Sequence, residues 1–176
     1  MNTFAPGRAG SSEYPPYAAA YVNLVVGDQI LSILAAQLER STALLKSVDE
    51  RRASEFSYAP GKWTIKQVLG HIIDTEQIFS YRAHHVARND AGALPGFEQD
   101  DYVAAGSFNE RALKSLIDEF RIVRQSTIAL FENLPQQAWM HQGSANKYSV
   151  TVRGLAFLAA GHELHHVKIL QEKYLP

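Results

Sequence analysis

Residues 161–170 read Gly161-His162-Glu163-Leu164-His165-His166-Val167-Lys168-Ile169-Leu170, and the rest of the chain is read outward from them. At about 100° per residue, His162 and His166 differ in direction by only about 40° and lie one helical turn apart. The same face carries Leu155, Leu158, Ala159, Ile169 and Lys173, so the pair points into an apolar stripe. Imidazoles turned into a core need partners for their ring nitrogens. Two at this spacing can share one metal ion; hydrogen bonds to neighbouring helices are the plainer alternative. Glu163 and His165 flank the stripe, each about 80° from its centre. A long side chain at position 163 can approach a bound water as a general base, but the reading we favour leaves Glu163 facing solvent or steadying a ligand.

Upstream, three more amphipathic stretches appear. Asp28 can cap a first helix in which Ile30, Leu31, Leu34, Leu38, Leu45 and Val48 recur to about Arg52. Pro60 and Gly61 mark the connection from Ser54 to Trp63. Thr64 with Gln67 forms a capping box that opens a second helix, carrying Val68, Ile72, Phe79 and Val86 and ending at Asn89–Asp90. A loop of about 17 residues, 90–106, is long for a compact domain and is expected to shape a site or an interface. Ser107 with Glu110 gives a second capping box before a third helix from Leu113 to Leu134, stopped by Pro135. After a connection at 135–149, the last helix starts near Ser149–Thr151 and continues to about Lys173. Residues 1–21, broken by Pro6, Gly7, Gly10, Pro15 and Pro16, read as an irregular arm. With no alternating strand pattern, the chain is expected to be a single all-α domain, 1–176, folded as a four-helix bundle.

Composition narrows the chemistry. The 176 residues are 46% hydrophobic and 20% charged, which suits one soluble domain with its own core. Lys plus Arg number 17 and Asp plus Glu 18, giving a net charge of −1 and arguing against a nucleic-acid partner. There is no cysteine, so disulfides and thiolate ligands are excluded. No leader or membrane span is evident, and a cytoplasmic location is expected.

Read literally, 162–166 also matches HExxH, the signature of zinc proteases. Their third ligand lies downstream, whereas only ten residues follow His166. A di-iron bundle needs Glu-x-x-His on two helices, and only His166 has an acid three residues before it. A third imidazole must therefore come from upstream. The candidates are His71, His84, His85 and His141, and spacing makes His71 only a modest favourite over His141.

The segment Lys62-Trp63-Thr64 with His71 behind it, and GHELHH near the end, together resemble the DinB/YfiT-like superfamily of metal-binding four-helix bundles. So do Glu13-Tyr14, LPGFEQDDY at 94–102, Thr151-Val152-Arg153 and Lys173-Tyr174-Leu175. That resemblance implies one ligand on the second helix and an HxxxH pair on the last, here His71, His162 and His166. Three neutral imidazoles leave a divalent ion its charge and an open position. Such an ion can bring the pKa of a bound water toward ~7, or hold a thiolate. The resemblance further implies a metal-dependent hydrolase, or a transferase using a low-molecular-weight thiol, acting on small molecules. Zn, Ni, Fe, Co and Mn all suit the ligands. Asp74 is a candidate to orient a ligand, and Trp63, Arg82, Tyr102 and Arg153 to line a pocket. A homodimer without membrane or nucleic-acid partners is expected. The alternative is a non-catalytic bundle that binds metal for stability.

Overall fold

Four long helices form where apolar residues recur at helical spacing, in a computed structural model that describes residues 5–175. Helix α1 (Ala19–Val22) is followed by α2 (Ile30–Lys46), α3 (Glu50–Glu55), α4 (Ile65–Ala87), α5 (Gln99–Ala105) and α6 (Leu113–Glu132). An antiparallel hairpin, β1 (Gln142–Ala145) and β2 (Tyr148–Thr151), precedes α7 (Val152–Ile169). Helix α4 packs against α6 and α7, and α2 packs against the same two. Chain-consecutive α2 and α4 thus face each other across a diagonal, as do α6 and α7. The expected all-α four-helix bundle is the observed architecture.

The apolar core is in two clusters. One gathers Val22, Leu34, Val86, Phe131, Trp139 and Phe157. The other gathers Leu38, Leu69, Ile72, Leu116, Phe120 and Tyr174. Buried polar residues from all four long helices separate them: Gln37, Ser41, Glu76, Arg124, Thr127 and Glu163. Arg124, wholly buried, donates from Nε and Nη2 to the two oxygens of Glu76 at 2.6 and 2.7 Å. Its Nη2 lies 2.7 Å from Glu163 Oε2, and its Nη1 donates to the Leu34 carbonyl at 3.2 Å. Ser41 donates to Glu163 Oε1 at 2.5 Å. Burial pushes the Arg124 pKa down, but the two carboxylates more than reverse it and keep it charged.

Several local expectations hold and several need correction. Thr64 and Gln67 form the full capping box at the start of α4, and Thr151 caps α7 by accepting from Gly154 N at 2.9 Å. The first helix, however, stops at Lys46. Ser47 turns its hydroxyl back to the Leu44 carbonyl, and extended Asp49 caps the separate helix α3 through Arg52 N. Asp28 caps nothing, since Gln29 occupies the cap of α2 with no side-chain bond. Ser107 also fails as a cap, because its φ of 47° places it in the left-handed region. Glu50 instead reaches across from α3 to accept from Leu113 N at 3.0 Å. The long loop contains α5. The connection expected at 135–149 holds most of the hairpin, which runs on to Thr151 and whose turn residues Asn146 and Lys147 both have positive φ.

Residues 1–4 of the expected arm, and Pro176, lie outside the described residues. The arm is irregular as expected from residue 5 to Pro15, but then Pro16 starts a 3-10 turn that runs into α1, burying Ala18 and Val22. Glu13 ties it to α7, accepting from Arg153 at 2.6 and 2.9 Å and from the Thr151 hydroxyl at 2.7 Å. Two glycines on α7 permit the approach. A Cβ at Gly154 would collide with the Glu13 carbonyl, and one at Gly161 with the Tyr21 carbonyl.

Arg124→Met is expected to lower the unfolding free energy by about 3–5 kcal/mol in urea denaturation, because two buried carboxylates lose their counter-charge. Arg51→Met, which breaks an exposed pair with Glu55, should change it by no more than about 1 kcal/mol.

Candidate metal centre

The diagonal arrangement brings α4 and α7 side by side, and His71 on the first meets His162 and His166 on the second. His71 Nε2 lies 3.0 Å from His162 Nε2, and His166 Nε2 lies 3.1 Å from the same atom. One nitrogen from each ring falls within 4.8 Å of the others. His71 and His162 are buried, and His166 is half-buried. The three rings turn edges toward one another with centroids 4.5 to 4.8 Å apart. Of the upstream histidines, only His71 joins the pair. His141 is 3.1 Å from the Ala87 carbonyl through Nδ1, and His85 is 2.9 Å from the Gly92 carbonyl through Nε2.

Three nitrogens at Zn–N distances of 2.0–2.1 Å around a tetrahedral ion would sit about 3.3 Å apart. The contacts of 3.0 and 3.1 Å to His162 are close to that, and the separation between His71 and His166, within 4.8 Å, is the one an ion would have to draw in. The protonation chemistry agrees. Burial lowers the His71 pKa to about 4, with Asp100 pulling weakly the other way. Burial, then the charges of His71 and His165, lower His166 to about 3. Burial, followed by repulsion from the neighbouring histidines, holds His162 well below its ordinary value. All three are therefore neutral at pH 7 and keep a lone pair for a cation. Without a cation, at most one proton can be shared along each N–N contact. The donor set fits a divalent ion.

Neighbouring groups hold the rings in place. Thr75, one turn after His71, puts its hydroxyl 3.4 Å from His71 Nδ1. Asp74, the sequence candidate for this position, is half-buried near Glu119 and Arg111 instead, and burial raises its pKa. Trp63 lies against the His71 ring at 4.9 Å. His162 is bracketed by Tyr21 at 5.7 Å and Phe79 at 6.0 Å, and Tyr21 also meets His165 at 4.9 Å. Sequence reasoning missed Tyr21, because its place depends on the arm folding back onto α7. Thr75 was visible as the residue four beyond His71 on the same face.

Glu163 neither faces solvent nor stands free. It is buried, its oxygens are engaged by Ser41 and Arg124, and burial raises its pKa against the pull of Arg124. A cavity of about 330 Å³ opens beside His166, lined by Trp63, Tyr58, Lys62, Asp100, Ile169 and Tyr174 among others. Trp63 fulfils its expected pocket role. Arg82 instead pins the 90–106 loop through the Pro95 carbonyl, Arg153 binds Glu13, and exposed Tyr102 meets Phe97.

Comparison with known proteins now bears on this site. The sequence profile of the DinB superfamily matches residues 30–170. The chain belongs to the DinB superfamily. Among solved structures, it is similar to YfiT from Bacillus subtilis, described as a probable metal-dependent hydrolase with an unusual four-helix bundle topology. The TM-score is 0.71 at 16% identity, covering 98% of this chain and 95% of that one. It is also similar to the mycothiol-dependent maleylpyruvate isomerase, with a TM-score of 0.67 at 13% identity. That match covers 83% of this chain but only 61% of the isomerase. At these identities the likeness establishes the fold. No protein of curated function matches the sequence. Among the described residues, no helix is long and apolar enough to cross a membrane.

The depressed histidines set the pH response. In the unfolded chain they titrate near 6.5 and in the fold at about 4 and about 3, so between these values the unfolded state binds more protons. Metal-free protein is therefore expected to lose thermal stability as pH falls from about 6.5 toward 4. In His71→Phe, melting curves over that range should show a shallower slope.

Proposed function

We propose that this protein is a divalent-metal-dependent enzyme acting on small molecules, by hydrolysis or by transfer involving a low-molecular-weight thiol. The observation that carries the reading is the convergence of the three imidazole nitrogens at the edge of an open cavity. A structural site encloses its ion with four protein ligands, whereas three leave a position for another molecule. His71, His162 and His166 would hold the ion, which when bound supplies a Lewis acid that polarises a carbonyl and acidifies a coordinated water or thiol.

The chain's own groups do the rest. Trp63 and Phe79 shield His71 and His162 from water, and Thr75 can accept a proton-bearing Nδ1 so that Nε2 of His71 stays bare. His166, the most open of the three, faces the cavity through which a substrate arrives. Glu163, bound to Arg124, contributes a fixed helix orientation in this reading rather than proton transfer. The likeness to YfiT and to the mycothiol-dependent isomerase lends support to the hydrolytic and thiol-dependent branches respectively. A homodimer in the cytoplasm, with no nucleic-acid or membrane partner, belongs to the same proposal.

Protein purified without added metal should carry close to one divalent ion per chain by elemental analysis. His71→Ala and His162→Ala should each weaken retention at least about tenfold. Equal, substoichiometric metal in all three proteins would overturn the reading. Chelation should lower the melting temperature only in part and leave the chain folded at room temperature, whereas loss of a structural ion would unfold it.

A further inference from the structure

Two opposite charges line the cavity beside His166, and they do not neutralise each other. With His166 neutral, Lys62 and Asp100 are the charged residues of its wall. Among the described residues, neither side chain makes a hydrogen bond or an ion pair. Some opposite charges elsewhere on the surface close up, as Arg51 with Glu55 at 2.9 Å, Arg111 with Glu119 at 2.6 Å and Lys114 with Asp118 at 2.6 Å. Exposed Glu39, Arg40 and Glu132 also stand without an ion pair among the described residues; what sets Lys62 and Asp100 apart is their place on one cavity wall. The two cavity charges come from the connection before α4 and from the first turn of α5, so separate segments place them on one rim.

Apart from Gln99 and His166, the remaining wall is mostly apolar and aromatic, with Tyr58, Trp63, Val68, Ile169 and Tyr174. A volume of about 330 Å³ is at the small end for ligand pockets, which favours a compact molecule. A simple anion drawn to Lys62 would meet the carboxylate of Asp100, and a simple cation drawn to Asp100 would meet the ammonium of Lys62. A molecule carrying both charges meets neither conflict. We propose that this cavity binds a small zwitterion, a free amino acid or an amino-acid-like headgroup with an apolar side chain. Its carboxylate is placed on Lys62, its ammonium on Asp100 and its apolar part against Trp63. The inference rests on the proposed function only in taking the cavity as the way to the histidine cluster.

The test uses three probes of matched shape: L-phenylalanine, 3-phenylpropionate and 2-phenylethylamine. Each is titrated calorimetrically into the full chain, and metal content is measured on the same samples. Phenylalanine should bind at least about tenfold more tightly than either single-charge probe. Lys62→Glu and Asp100→Lys should each abolish that preference, and the double exchange should restore part of it. Equal binding of the three probes, or no binding of phenylalanine at millimolar concentration, would overturn the proposal. So would a preference that survives both single substitutions, since that marks chelation of an ion by the probe. Phenylalanine binding with the charge dependence, in protein that takes no metal, would support this inference while removing the metal reading.

Discussion

The bundle turns on one guanidinium. Arg124 leaves α6, crosses the diagonal and touches α2 through the Leu34 carbonyl, α4 through Glu76 and α7 through Glu163. A buried ion network is a poor source of net stability, because desolvation offsets most of the attraction. Its effect is directional. Apolar side chains tolerate small rotations of one helix against another, whereas a guanidinium with five donors accepts few alternative placements. The layer containing it separates the two apolar clusters, so each helix is held in rotation at mid-length rather than at its ends.

That constraint explains how the histidines meet. His162 precedes Glu163 on α7, and His71 lies five residues before Glu76 on α4. Fixing Glu76 and Glu163 on the same arginine therefore sets the facing directions of the two helices that carry the cluster. The N-terminal arm adds a second restraint from outside. Glu13 and Arg153 fasten it to α7, Gly161 lets Tyr21 come close, and the Tyr21 ring lies edge-on to His162. Ring orientation at this site is thus governed by contacts from α1, α4 and α7 together.

Much of this was legible in the residues. Periodicity located all four long helices because each has a continuous apolar stripe, and the Thr64–Gln67 box marked the start of α4 to the residue. The inward direction of His162 and His166 followed from their spacing. What escaped depends on contacts distant in sequence. Nothing near Leu113 shows that its amide is capped by Glu50, and nothing in Gly143–Val150 announces a hairpin whose turn lacks glycine. Glu163 was misplaced for the same reason. On a wheel it flanks the stripe, and only the position of Arg124, about forty residues earlier, shows that this flank is also interior. The third ligand was ambiguous because helical periodicity is silent on which helices are neighbours. The side-by-side placement of α4 and α7 selects His71 over His141.

The asymmetry of the cluster bears on what it can do. His71 and His162 are covered by Trp63, Phe79 and Tyr21, while His166 stands at the cavity wall. The cavity opens on the side of α5, where Lys62 and Asp100 stand. The loop at 90–106 supplies that side, and it is fastened at the Leu94–Pro95 step: Arg82 holds the Pro95 carbonyl, and Leu94 pairs with the hairpin through Ser144 and Asn146. Related bundles can keep the four long helices and change this loop, which alters the entrance without disturbing the helices that bear the histidines. In this chain the two charges of the cavity wall thus come from segments distinct from those that present the three nitrogens. That division accounts for a histidine cluster that can be read from the motif while the cavity beside it cannot.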